Sequence, residues 1–295
     1  MLERFLDPAT LASIAGLDLV ARTVVDGFVA GLHRSPDFGF SQEFAEYRAY
    51  TQGDDLRHVD WNVFARTDRC YLKRYRGETN TQLMLLLDTS ASMGYGSHAV
   101  NKLDYARFAA SSLAYLAKEQ RDAAGLIVFD EDVTDYVAPS TRQGQLFRLL
   151  HAMERARPGT RTDFAKPFAH FRNFLRRRGL VVVFSDFYED PETVVRTMEP
   201  LRFRGDDLIL FHVLDPQELQ PAFREPVLLV DMEDRTTMEV SPEYARGEYR
   251  TKIARHVADL RDKARGAGID YYLMNTARPL DEGLREYLTV RQGRL

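Results

Sequence analysis

Three short apolar runs, Leu83–Leu87, Ala124–Phe129 and Leu180–Phe184, punctuate the middle of the chain, and polar residues close each of them. Runs of this length without alternation predict strands buried on both faces, as in a parallel sheet. Between them the apolar period changes to three and four. Leu103, Ala106, Ala110, Leu113 and Ala117 mark one helix face, and Leu146, Leu149, Leu150 and Met153 a shorter one. Phe164, Phe168, Phe171 and Leu175 define another, closed by Arg176–Arg178 and a Gly179 stop. Val133–Val137 reads as an antiparallel neighbour of the second strand. Downstream come a helix over 191–202, a strand over 207–214, a hairpin of 227–231 with 236–240, a charged helix over 242–265, a strand over 269–274 and a last helix over 280–288. Strands alternating with helices predict an α/β fold: a doubly wound, mostly parallel sheet with right-handed crossovers.

The first 80 residues have a different texture. Asp7-Pro8 is a helix start, and Leu11, Ile14, Leu17, Val20, Val24 and Phe28 predict one or two amphipathic helices over 8–31. Residues 35–76 are rich in arginine, aspartate and aromatics, with a weak strand at Tyr71–Tyr75. The predicted organisation is an N-terminal helical and irregular extension over 1–80, followed by the sheet domain over 81–295. Six Lys and Arg interleave with four Asp over 51–76. That mixture predicts an internal ion-pair network with Trp61 as a packing anchor, not a nucleic-acid surface. The net charge of −4 agrees. A lone cysteine, Cys70, allows no intrachain disulfide and fits a reducing compartment. No apolar stretch approaches the roughly 20 residues of a membrane span, and Met1–Arg4 does not open a signal peptide. The expectation is a cytoplasmic protein.

Nucleotide-loop, nucleophile-elbow, zinc-protease and paired-cysteine motifs are absent, and the seven histidines are scattered. What remains is polar residues at strand ends. Asp88, Ser90 and Ser92 follow the first strand, Asp186 follows the third, and the loop Pro158–Asp163 precedes the helix at Phe164. Hard oxygen donors at alternate positions suit Mg²⁺. Taken alone, Asp88 reads equally well as a strand-end cap with Ser90 and Ser92 as turn residues. Three such loops meeting at the switch point of a doubly wound sheet make a site.

The pattern D-x-S-x-S (Asp88, Ser90, Ser92), then T-x-T (Thr160, Thr162), then S-D (Asp186) resembles the von Willebrand factor type A domain and its metal-ion-dependent adhesion site. The resemblance implies Ser90, Ser92 and Thr160 as hydroxyl ligands of Mg²⁺ (or Mn²⁺ or Ca²⁺), with Asp88 and Asp186 binding directly or through water. Thr160 is preferred over Thr162 because the family's ligand is the first threonine of the pair. Phe187 stands where many such domains have glycine, which predicts a crowded side of the site. Upstream, Gly31–Ser35, Glu43-Phe44, Tyr47-Arg48, Gly53–Asp55, Arg57, Asp60-Trp61 and Ala65-Arg66 resemble the bacterial domain of unknown function fifty-eight family. That likeness implies a non-enzymatic, metal-dependent protein-binding adaptor. Its implied partner is a MoxR-type AAA+ ATPase, or that ATPase's client, engaged through an acidic side chain. The rival reading is a haloacid-dehalogenase-like, Mg²⁺-dependent phosphotransferase with Asp88 as nucleophile and Thr160, Lys166, Asp186 and Asp190 in support. That chemistry needs a carboxylate two residues after the nucleophile, where this chain has Ser90.

Overall fold

Leu83–Leu87 lies at the centre of a six-stranded sheet, with every side chain of its strand buried. The computed structural model describes residues 7–13, 16–32, 44–49, 63, 66, 71–75, 82–159, 165–174, 177–232 and 235–280. In chain order the elements begin with α1 (Pro8–Ala12), α2 (Leu17–Leu32), β1 (Phe44–Ala49), β2 (Tyr71–Tyr75), β3 (Gln82–Asp88) and α3 (Lys102–Glu119). Next come β4 (Ala123–Phe129), β5 (Val133–Ser140), α4 (Gln145–Arg155), α5 (Ala165–Phe174), β6 (Gly179–Ser185) and α6 (Pro191–Arg204). The last are β7 (Asp207–Leu214), α7 (Pro216–Leu219), β8 (Val227–Val230), β9 (Thr237–Val240), α8 (Arg250–Gly266) and β10 (Asp270–Asn275).

The sheet order is β10-β7-β6-β3-β4-β5, parallel throughout except for the antiparallel edge strand β5. The fold is therefore the expected doubly wound α/β type. α3 and α4 cover one face of the sheet; α5, α6 and α8 lie on the other. Met84 and Leu86 join Phe168, Phe171, Val194 and Leu260 in the second layer, while Leu83, Leu85 and Leu87 turn to the first. Burying one such leucine contributes about 1.5–3 kcal/mol. Because β3 pairs with β4 on one side and β6 on the other, the direction of winding reverses between β3 and β6. The crevice at their carboxyl ends is where this topology places ligands.

The chain divides into two compact units, residues 1–28 with 81–295, and residues 29–80. In the smaller unit β1 pairs antiparallel with β2, a strand partner the sequence did not signal. The predicted N-terminal helical stretch breaks at Gly16, whose φ is +87°. Asp7 caps α1 by accepting from Thr10 N–H at 3.0 Å. Gly179 is not a helix stop: it opens β6, where a Cβ would lie 2.2 Å from the Gln82 carbonyl oxygen. Its lack of a side chain is what lets β6 begin against β3. The long charged helix is three elements: an α-helical turn, Pro242–Tyr244, a π-helical turn, Ala245–Tyr249, and α8. Arg57, Asp60, Trp61, Cys70 and the expected helix over 280–288 lie outside the described residues, apart from Leu280.

Candidate metal centre

Asp88 closes β3 and is completely buried. The chain then turns back sharply, so that Ser90 N–H donates to Asp88 Oδ1 at 2.8 Å. The following 3-10 turn, Ala91–Gly94, leaves the Ser90 and Ser92 hydroxyl oxygens 3.0 Å apart. From the neighbouring strand, Ser185 donates its hydroxyl to Asp88 Oδ2 at 2.5 Å and accepts from Phe187 N–H at 3.0 Å. Asp186 follows at once, itself buried. Thr89 donates both its N–H and its hydroxyl to the Phe129 carbonyl, at 2.8 and 3.0 Å. Gly159 N–H donates to the Thr89 carbonyl at 2.6 Å, which brings the third loop to the same edge. Thr160 and Thr162, next along that loop, lie outside the described residues. The structure thus brings Asp88, Ser90, Ser92 and Asp186 together.

The electrostatics of the cluster are set by one cation. Lys102, first residue of α3, has no exposed surface. Its Nζ donates to Asp186 Oδ2 at 2.8 Å and to Glu218 Oε1 at 2.6 Å. Burial alone would lower this ammonium's pKa; the two carboxylates outweigh it and hold Lys102 above its ordinary value. Glu218 in turn accepts from Asp215 N–H at 2.8 Å, as part of the capping box that starts α7. Lys102 is therefore committed to Asp186 and Glu218. Burial first, and then the Asp186 charge, push the Asp88 carboxyl up to about 7, against the hydrogen bonds from Ser185 and Ser90.

A hard divalent cation fits this arrangement. In an octahedral Mg²⁺ shell with bonds of about 2.0–2.1 Å, neighbouring oxygens lie about 2.9 Å apart, and the Ser90–Ser92 hydroxyl pair spans such an edge at 3.0 Å. Among the described residues no group of three or more His, Cys, Asp or Glu side chains has the makings of a metal site. Hydroxyls are therefore needed to complete a donor set around Asp88 and Asp186.

Phe187 departs from what the sequence led us to expect. Its backbone is left-handed, with φ +46°, a conformation that costs a non-glycine residue roughly 1–2 kcal/mol. This is where a glycine would sit without strain. The ring does not crowd the site: it is fully buried in the core and meets His212 edge-on at 5.7 Å. Two of the residues the phosphotransferase reading needs are engaged elsewhere. Lys166 pairs with Asp132 on the surface, and Asp190 caps α6 by accepting from Thr193 N–H at 3.0 Å. Sequence reasoning missed Lys102, Glu218 and the role of Ser185. The Asp215-Pro216-x-Glu218 capping box is legible in the sequence, but nothing near Lys102 marks it as the counter-charge for two distant carboxylates.

Fold and strand order together define a von Willebrand factor type A-like α/β domain. The chain belongs to the family described as protein of unknown function DUF58, which matches residues 46–261. A Mycobacterium tuberculosis protein described as uncharacterized protein Rv1480 is 30% identical over 296 residues, covering 98% of this chain and 92% of that one. The conserved hypothetical protein BatB from Bacteroides thetaiotaomicron is similar in structure, with a TM-score of 0.50 and 14% identity over 72% of this chain and 99% of that one. A looser match is the SpRpn10 VWA domain, with a TM-score of 0.40 and 11% identity over 68% of this chain and 92% of that one. Another is described as an aerotolerance-related membrane protein from Bacteroides fragilis, with a TM-score of 0.49 and 15% identity over 70% and 97%. The cytoplasmic placement expected from the sequence is withdrawn on this finding, which describes a similarly folded neighbour as a membrane protein. Among the described residues no helix is long and apolar enough to cross one.

Proposed function

We propose that this protein is a non-enzymatic, metal-ion-dependent protein-binding protein. Mg²⁺, with Mn²⁺ and Ca²⁺ as alternatives, is held by Asp88, Ser90, Ser92, Thr160 and Asp186. The observation that carries the reading is the pairing of Asp88 with two hydroxyls 3.0 Å apart at the switch point of the sheet. Neutral hydroxyls among the ligands leave positive character on the ion, and one octahedral position takes an Asp or Glu from the partner. The partner class comes from the family resemblance: a MoxR-type AAA+ ATPase or a client that it remodels. The described chain supports a binding role in one further way. The position two residues after Asp88, where a phosphotransferase needs an acid–base, holds the Ser90 alcohol.

Calorimetry with Mg²⁺ tests the site: wild type binds, and Asp88→Ala does not. Binding of the purified ATPase in Mg²⁺ and then in excess chelator tests the role. Affinity that survives both chelation and an acidic-to-amide scan of the partner's surface would remove the ion from recognition.

A further inference from the structure

At the candidate metal centre, whose Ser92 and Asp186 line it, a cavity of about 640 Å³ opens between the Asp186–Glu189 turn, α7 and the β8–β9 hairpin. That volume lies within the range of small-ligand and peptide side-chain sites. Among the described residues its charged lining consists of Asp186, Glu189, Glu218 and Asp231, with no lysine or arginine. Its apolar wall is the inner face of the hairpin, where Leu229 and Met238 sit opposite each other in register, 38% and 50% exposed. Tyr95, Tyr188 and Tyr249 also line it.

Carboxylates, aromatic rings and an apolar wall together select a cation on an aliphatic stem. The molecule already uses this chemistry once. Lys102 Nζ lies 5.0 Å from the Tyr188 ring centre and 5.8 Å from that of Tyr95, and it satisfies Asp186 and Glu218. Glu189 and Asp231 add two further carboxylates to the lining. The hairpin also favours a polypeptide: among the described residues β8 and β9 pair with each other and with no other strand, and an edge of this kind accepts an added strand.

We propose that this cavity binds an arginine of an extended partner segment that adds to the hairpin. The guanidinium lies among Glu189, Asp231 and the tyrosine rings, and the stem lies on Leu229 and Met238. Arginine is favoured over lysine because its planar, weakly hydrated head stacks on aromatic faces. This inference rests on the protein-binding reading and names the partner's chemistry, but it does not require the ion. The partner motif becomes bipartite: an acidic residue for the metal and an arginine for the cavity.

The test is fluorescence polarisation of the full chain with capped, labelled Thr-Val-Arg-Val-Thr peptide and its Arg→Gln and Arg→Glu counterparts. Each is measured in Mg²⁺ and in EDTA, with Mg²⁺ binding followed by calorimetry on the same preparation. The expected result is at least tenfold tighter binding of the arginine peptide than of the glutamine peptide, with the glutamate peptide weakest. The preference should survive EDTA and collapse in the Glu189→Gln/Asp231→Asn variant. Equal binding of the three peptides while Mg²⁺ still binds would overturn the cavity assignment and leave the metal reading standing. An arginine preference in a chain that binds no Mg²⁺ would support the cavity and sink the metal reading. Free arginine amide binding as tightly as the peptide would overturn a polypeptide as occupant.

Discussion

Two aspartates follow apolar strands at the same edge of the sheet, and their surroundings assign them opposite work. Asp88 ends β3, Asp215 follows β7, and both are completely buried. Asp215 is saturated by its own neighbourhood: Ser97 N–H at 2.8 Å, the Ser97 hydroxyl at 2.6 Å and Gln217 N–H at 2.8 Å all donate to it. It caps α7 and pins the loop around Ser97. Asp88 accepts from the Ser90 N–H and the Ser185 hydroxyl, yet burial, and then the Asp186 charge, push its carboxyl up to about 7. A strand-end Asp is thus a cap where a proline-initiated turn follows it. Where alternating serines follow it, it is a candidate ligand.

The largest expected effect concerns the residue that couples the two regions. Lys102 holds Asp186 on one side and, through Glu218, the α7 cap on the other. Lys102→Met leaves two buried carboxylates without a counter-charge, and breaking such a pair costs about 3–5 kcal/mol. Urea unfolding should show that loss. Adding Asp186→Asn and Glu218→Gln to the Lys102 variant should recover most of it. No recovery would mean that Lys102 stabilises through packing alone.

Next in size is the metal response. At 100 times Kd a ligand specific for the folded state adds about 2.7 kcal/mol, so Mg²⁺ should raise the Tm of wild type and leave that of Asp88→Asn unmoved. Without metal the order should reverse. The Asp88 carboxyl is raised from 3.8 to about 7 in the folded chain. Between those values the folded state keeps a proton that the unfolded state has released, so the stability this group contributes falls as pH rises through that window. Chelated wild type should therefore lose Tm relative to Asp88→Asn between pH 5 and pH 8. Parallel pH profiles would show that the Asp88 carboxyl is not raised in the folded chain.

Asp215→Ala should do the opposite. It should lose a cap worth about 0.5–2 kcal/mol while keeping Mg²⁺ affinity. If it abolishes Mg²⁺ binding, the two strand ends do not have separate roles.

The legibility of this comparison in the sequence was uneven. Continuous apolar runs such as Leu83–Leu87 and Leu180–Phe184 announce central strands because burial on both faces leaves no polar alternation. The edge strand β5 and the hairpin were also legible. β1 was not: its pattern, Phe-Ala-Glu-Tyr-Arg-Ala, mixes charge and apolar residues without a strict period. Within the site, polar residues that close an apolar run were legible, namely Asp88, Ser90, Ser92 and Asp186. Residues joined only by the fold, such as Lys102 with Glu218 116 positions away, have no local signature. Gly179 misled because a glycine after an arginine run marks a helix end by frequency, while here the close approach of β3 requires it.

The smallest effect gives the finest comparison, because it changes a single hydroxyl at each strand end. Ser97 donates at 2.6 Å to a buried carboxylate, and a hydrogen bond to a charged group is worth about 1.5–3 kcal/mol. The exposure of Ser97 places it at the low end of that range, since water can replace the lost donor. Ser92 touches only the Ser90 hydroxyl in the described contacts, at 3.0 Å, and is half-buried. Removing it breaks a neutral bond that solvent also replaces, so Ser92→Ala should change stability by no more than about 0.5 kcal/mol. Mg²⁺ affinity should divide the other way: Ser92→Ala weakens it by removing a ligand oxygen, and Ser97→Ala leaves it as in wild type. Chemical denaturation and calorimetry on the two variants give four numbers, and the prediction is crossed. Stability moves with Ser97, affinity with Ser92. If both quantities move with the same serine, the edge of the sheet is one coupled site, and the separation of cap from ligand that the hydrogen bonds describe does not survive in solution.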